Sequence, residues 1–170
     1  MEDFQPTVFK GTYVHKIDGK GRLPVPVALR RALAPGEALV VTLLDQCLAA
    51  YPAAEWAKLE AQLAAMPAFS KPVKALTRRL ASQAADCAID GQGRILLPSV
   101  LRAAAALGTN VVIVGVLNRF EIWAPESWSG FLAESERLLD DVSTDLQWPV
   151  PASPPALPSN PPRPQAKPKR

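Results

Sequence analysis

Asp18-Gly19-Lys20-Gly21-Arg22-Leu23-Pro24-Val25-Pro26 returns 72 residues later as Asp90-Gly91-Gln92-Gly93-Arg94-Ile95-Leu96-Leu97-Pro98. The correspondence runs past the motif without a gap. Leu29-Arg30 meets Leu101-Arg102, Gly36 meets Gly108, Val40-Val41 meets Val112-Ile113, Tyr51 meets Trp123 and Trp56 meets Trp128. Register held through loops over that length marks one structural unit present twice in the chain. The Asp-x-x-x-Arg turn is therefore displayed at least twice, in related geometry.

Outward from each turn the pattern is β with short helices. Val8 to Ile17 reads as a strand entering the first turn, where Asp18 and two glycines suit the positive-φ positions of a tight connection. Arg22 to Val27 leaves as a strand whose Pro24 and Pro26 each lack a backbone donor, which points to an edge or a strand end. Val27 to Leu33 is a short helical stretch stopped by Pro35-Gly36. Ala38 to Leu44 and Cys47 to Tyr51 form a hairpin around Asp45-Gln46, and Ala53 to Met66 is a helix with Trp56, Leu59 and Leu63 on one side. A basic amphipathic helix, Val73 to Ala85, leads into the second copy. That copy repeats the order, with a hairpin around Leu117-Asn118 and a last helix from Pro125 to Leu139. This divides the chain into a first repeat with its trailing helix (1–72), a second repeat with leading and trailing helices (73–148), and a tail (149–170). Nine of the 22 tail residues are proline, so that segment reads as disordered or polyproline.

The formal charge of +3 misleads, because the tail carries Arg163, Lys167, Lys169 and Arg170 with no acid, leaving −1 for the rest. Distribution says more. Val8 to Arg31 holds six basic residues against Asp18, whereas Glu121 to Asp145 holds seven acids against Arg137. Cys47 and Cys87 are expected as buried reduced thiols, and with a single histidine they supply no metal site. No phosphate-binding Gly-rich loop, nucleophile-elbow serine or metal-ligand cluster occurs, so neither enzymatic activity nor a cofactor is expected. Met1-Glu2-Asp3 does not open a signal peptide and Val111 to Leu117 is too short to span a bilayer. A soluble cytoplasmic protein without a membrane partner is the expectation.

Two readings of the turn compete. In the structural one, Asp18 and Asp90 cap their turns and pair with Arg22 and Arg94. In the functional one, the turn is a DNA-contacting tip. Arginine can pair bidentately with guanine O6 and N7, and a carboxylate beside it holds the fork in one direction. His15, Lys16 and Lys20 then serve phosphates, with Gln92 in the place of Lys20 in the second copy. Arg30, Arg31 and Arg102, on the helices after the motifs, either flank the tips or are solvated helix charges. Trp56, Trp123 and Trp128 read as packing residues, not as base-stacking platforms.

Phe9-Lys-Gly-Thr-Tyr-Val-His15-Lys-Ile-Asp18-Gly-Lys-Gly-Arg22 closely resembles the opening of the MraZ family. So does Ala88-Ile-Asp90-Gly-Gln-Gly-Arg94-Ile-Leu-Leu-Pro98, continued by Leu101-Arg102, Gly115-Val116 and Arg119-Phe-Glu-Ile-Trp123. The likeness covers roughly residues 4 to 140 and keeps both motifs intact. MraZ proteins are bacterial transcription regulators that bind promoter repeats upstream of the division and cell-wall gene cluster. The resemblance implies a mainly β fold with short helices (α+β), in which two AbrB/SpoVT-like swapped-hairpin halves form a pseudo-dimeric β-barrel. It also implies homo-oligomeric rings that engage short, G-containing repeats in double-stranded DNA at the nucleoid. Its motif positions here are Asp18, Lys20 and Arg22, then Asp90, Gln92 and Arg94, with His15, Lys16 and Arg30 where AbrB-type readers place basic groups. Pro24 inside the post-motif strand and the proline-rich basic tail depart from that pattern.

The expectation is a sequence-specific DNA-binding regulator. The alternatives are a ring-forming scaffold that uses its tail and acidic helix, or a non-specific nucleoid packager driven by the tail's charge. Within the first reading, the copy carrying Lys20 and the Arg30-Arg31 pair is expected to bind more strongly than the copy with Gln92 and Ala103.

Overall fold

The computed structural model describes residues 8–142. The proline-rich tail, and with it the expectation of disorder there, lies outside the described residues. Met1–Glu134 forms one compact unit, and Ser135 opens a second whose described part is the end of the last helix, to Val142.

The first repeat contributes β1 (Thr12–Lys16), β2 (Arg22–Pro24), α1 (Val27–Arg30), β3 (Leu39–Leu44), β4 (Cys47–Pro52) and α2 (Ala53–Ala65). After α3 (Lys71–Ser82), the second contributes β5 (Ala85–Cys87), β6 (Arg94–Leu96), α4 (Ser99–Ala104), β7 (Asn110–Val116), β8 (Arg119–Trp123) and α5 (Pro125–Val142). The hairpins fall where alternation and turn residues place them, with Asp45 and Leu117 at positive φ (52° and 62°). Pro52 stands at the N-cap of α2, and Pro72 lies in the first turn of α3. In both places the missing N–H has no helical partner to lose.

Strand pairing discloses how the two copies join. Six strands make one sheet in the order β1-β7-β8-β4-β3-β5, and β2 pairs only with β6 in a separate ribbon. In the ribbon Leu23 faces Ile95, and in the sheet Ala49 faces Glu121, each a residue opposite its own repeat-mate. The outer pairs are exchanged with matching register: Val14 faces Val112, and their mates Asp86 and Val40 face each other. The repeats are thus related by a pseudo-two-fold passing between β2 and β6 and between β4 and β8, and each gives a strand to the other.

Burial explains why they interlock. Units of about 70 residues bury too little surface to be robust alone. Here one core takes nine buried residues from each repeat, among them Leu23, Leu39, Leu48 and Phe9 from the first and Ile95, Val111, Phe120 and Ile122 from the second. Alternation then gives the sheet a second covered face. Val40, Ala49 and Tyr51 pack against Trp56 of α2 and Leu80 of α3, and Cys47, Val112 and Trp123 against Trp128 of α5. The three tryptophans named above are therefore packing residues in clusters apart from the turns. Pro24 is accommodated as its lost donor requires, in a two-stranded ribbon with no inner strand.

The mainly β fold with short helices holds, but the closed β-barrel does not. Closure would join β1 to β5, and these remain at opposite edges of an open sheet. The ribbon and the helices after it cover the inner face instead, through Leu23, Val25, Leu29, Ile95, Leu97 and Leu101, so the face is closed by packing and needs no continuous ladder. Among the described residues no helix is long and apolar enough to cross a membrane, and no group of three or more His, Cys, Asp or Glu is placed to hold a metal ion.

Candidate nucleic-acid interface

Each Asp-x-x-x-Arg turn is closed twice. In the backbone, Asp18 N–H donates to Arg22 O (3.0 Å) and Gly21 N–H to Asp18 O (2.9 Å). In the side chain, Asp18 Oδ1 accepts from the N–H groups of Lys20 (2.9 Å) and Arg22 (3.0 Å), and Oδ2 accepts from Arg22 Nε (2.7 Å). The second turn repeats the set: Asp90 Oδ1 accepts from Gln92 and Arg94 N–H, and Oδ2 from Arg94 Nε, all at 2.9 Å. Donors aimed at a carboxylate favour its charged form. The Arg22 N–H, the largest of these effects, and its side chain hold Asp18 down to about 2, and the Arg94 N–H and side chain depress Asp90 in the same way. Capping and guanidinium locking are thus done by one carboxylate, so the structural and functional readings of the turn do not exclude each other.

The turns sit at opposite ends of the β2–β6 ribbon. Gly93 O accepts from Val25 N–H, and Gly21 O from Leu97 N–H, both at 2.9 Å. Val25 lies four residue steps beyond Gly21, so the turns lie roughly 13 Å apart along the ribbon. β2 carries the chain away from its own turn and delivers α1 beside the other. Arg30 Nε donates to Val25 O (3.1 Å) and its guanidinium lies over Gly93, at the place a Cβ would occupy. Arg102 Nε likewise donates to Leu97 O (3.2 Å), with its guanidinium against Gly21, Nη2 standing 3.0 Å from the Cβ position. Both glycines have positive φ, 84° at Gly21 and 76° at Gly93, so the sequence accounts for them as turn residues; their second use, as room for an arginine from the other repeat, only the fold discloses.

Four arginines, Arg22, Arg94, Arg30 and Arg102, are consequently tied down through Nε. Arg94 Nη2 also stands 2.9 Å from Asp90 Oδ2, and its side chain is less exposed than that of Arg22, 24% against 33%. Among the described residues Arg30 and Arg102 form no ion pair, so each is an uncompensated cation beside a compensated one. Lys20 is exposed at the tip of the first turn, and Gln92 is exposed at the second. His15 and Lys16 lie on edge strand β1 opposite Val111 and Asn110, just before the first turn. Arg31 is exposed at the C-cap of α1 and is brought into neither guanidinium arrangement. One polar feature unforeseen from the sequence lies on the α5 side of the sheet. Glu121 is buried between Arg119 (Nη2 to Oε1, 2.9 Å) and Trp123 Nε1 (3.1 Å to Oε2), a same-face run whose period of two was legible in β8.

Paired arginine turns, each locked by its own carboxylate and offered from an interlocked duplicated scaffold, place the chain among tandem-repeat proteins that present anchored arginines outward. The particular family follows from comparison. The family model described as "MraZ protein, putative antitoxin-like" matches twice, at residues 8–79 and 80–147, and the chain belongs to this family. It is similar to the protein named Transcriptional regulator MraZ of Limosilactobacillus reuteri (strain DSM 20016), 46% identical over 137 residues, covering 80% of this chain and 95% of the relative. The proteins of the same name from Ligilactobacillus salivarius and Halothermothrix orenii are 44% and 40% identical, each match covering 82% of this chain and 96% and 97% of the relative.

Proposed function

We propose that the chain is a transcriptional regulator that binds double-stranded DNA sequence-specifically through its two Asp-x-x-x-Arg turns. The observation that carries this is the common anchoring of Arg22, Arg94, Arg30 and Arg102 through Nε, which leaves Nη groups of Arg22, Arg30 and Arg102, and Nη1 of Arg94, to meet an external acceptor. A guanidinium fixed in this way loses little freedom on binding and suits the bidentate acceptors of guanine or a phosphate. Arg22 and Arg94 are the base readers, and Lys20, Lys16, His15, Arg30, Arg31 and Arg102 serve the backbone. A spacing of roughly 13 Å keeps both turns well inside one ~34 Å helical turn, so one molecule can engage one short site with both. The relatives' name supports the regulatory role. We assign the targets as short repeats upstream of the division and cell-wall genes, contacted by a homo-oligomeric ring at the nucleoid.

The test is titration of the full chain against a duplex from the region upstream of its own gene and against a scrambled duplex, at several salt concentrations. The expected result is tighter binding to the native duplex, lost in Arg22→Ala, with a salt slope near −0.9 per phosphate contact. Equal affinity for both duplexes, unchanged by Arg22→Ala, would refute specific reading. Mass photometry of the free protein tests the ring, which a single monomer peak at micromolar concentration excludes.

A further inference from the structure

We infer that the two DNA-contacting heads are crossed: the first is Arg22 with Arg102, the second Arg94 with Arg30, so neither repeat carries a complete head. This rests on the DNA-binding reading above and assigns the composition of its sites. Sequence order pairs Arg22 with Arg30, eight residues on in the same repeat. The ribbon reverses that pairing. β2 and β6 are antiparallel, so each helix that follows a ribbon strand arrives beside the turn that precedes the other strand. Two separate observations agree on the crossing. Leu97, whose carbonyl anchors Arg102 Nε, donates its own N–H to Gly21 of the first turn, and Val25 joins Arg30 to Gly93 in the same manner. The guanidinium groups themselves occupy the space that a side chain at Gly21 or Gly93 would take.

The two members of a head differ in electrostatic role. Arg22 and Arg94 are neutralised by Asp18 and Asp90 and aimed by them, as a base reader requires. Arg102 and Arg30 have no carboxylate within ion-pair distance among the described residues, so they bring the net positive charge and act on the phosphate next to the base being read. The crossing also reapportions the charge between copies. Arg30 strengthens the second turn, while the first turn keeps Lys20 where the second has Gln92, and is preceded by Lys16 where the second is preceded by Ala88.

Double-mutant cycles on the full chain test this, read as dissociation constants and salt slopes on the native upstream duplex. Arg22→Ala with Arg102→Ala, and Arg94→Ala with Arg30→Ala, are expected to depart from multiplicativity by about fivefold or more, whereas Arg22→Ala with Arg30→Ala, and Arg94→Ala with Arg102→Ala, stay within about twofold. Arg102→Ala and Arg30→Ala should each flatten the salt slope by about 1, and Arg102→Lys and Arg30→Lys should restore it. Thermal unfolding of every variant guards against loss of fold; Arg102→Gln or Arg30→Gln replaces any alanine variant that does not fold. Coupling within the same-repeat pairs, or no coupling in any pair, overturns the crossing while leaving DNA binding standing. Arg22→Ala that binds as the wild type does overturns the DNA reading itself, and the crossing with it.

Discussion

Substituting Gly93 by alanine perturbs the crossed arrangement without touching an arginine, and the size of its effect can be worked out. Gly93 has φ 76°, and its missing Cβ would fall on the Arg30 guanidinium; Gly36 has nearly the same φ, 74°, with nothing within 4 Å of its Cβ position. An L-residue in the left-handed region costs about 1–2 kcal/mol. Lower entropy of the unfolded chain returns about 0.4–1 kcal/mol, so Gly36→Ala should destabilise by about 1 kcal/mol. Gly93→Ala bears the same backbone cost and also expels Arg30. Because the obstructing group is the end of a flexible side chain, the added loss is that of its contacts, chiefly the Nε bond to Val25 O, about 1 kcal/mol more. For a domain of this size, ~4 °C per kcal/mol puts the melting shifts near 4 °C for Gly36→Ala and near 8 °C for Gly93→Ala. Differential scanning calorimetry at one protein concentration measures both. In an Arg30→Ala background the excess should vanish, leaving Gly93→Ala equal to Gly36→Ala. Equal shifts in the wild-type background, or an excess that survives Arg30→Ala, would show that Arg30 is not held over the second turn.

Leu23→Ala removes a fully buried side chain at the centre of the ribbon, opposite Ile95, and should cost about 3 kcal/mol in urea unfolding while shifting the amide resonances of both turns; a loss below about 1 kcal/mol, or a change confined to the first turn, contradicts the account of the ribbon as their common support. The Asp18 pKa is depressed in the folded state, so its contribution is complete above the unfolded value of about 3.9 and is lost as pH falls through about 2. Carboxyl NMR should place the Asp18 midpoint near 2, and a midpoint near 4 would mean that the turn does not hold it. Burial raises both thiols, Cys87 to about 11 and Cys47 also upward, so a thiol reagent at pH 8 should modify neither in the folded chain and both in urea; immediate labelling of either in the native state contradicts this.

Local pattern placed the hairpins and the duplication but not every boundary. Pro52 and Pro67 bracket α2, apolar alternation marks the β3–β4 and β7–β8 hairpins, and the 72-residue offset announces the duplication. The strand expected from Val8 to Ile17 is confined to Thr12–Lys16, and the helix expected to run from Val73 to Ala85 spans Lys71–Ser82, because Ala85 is taken into β5 by pairing with Val41. The turn chemistry was legible as well, because Asp18 and Arg22 are four residues apart and interact within one loop. The open sheet was not legible. Whether β1 meets β5 depends on how the ribbon fills the inner face, which is a matter of side-chain volumes contributed by both repeats. Nor could the association of Arg30 with Gly93 be read, since 63 residues separate them.

By itself, then, the sequence determined that this protein is a doubled unit bearing two Asp-locked arginines, because those interactions form between near neighbours and repeat in register. Only the tertiary structure decided which helix arginine stands beside which turn. That choice follows from the antiparallel pairing of β2 with β6, a contact between distant segments, which sends each helix to the other repeat's turn.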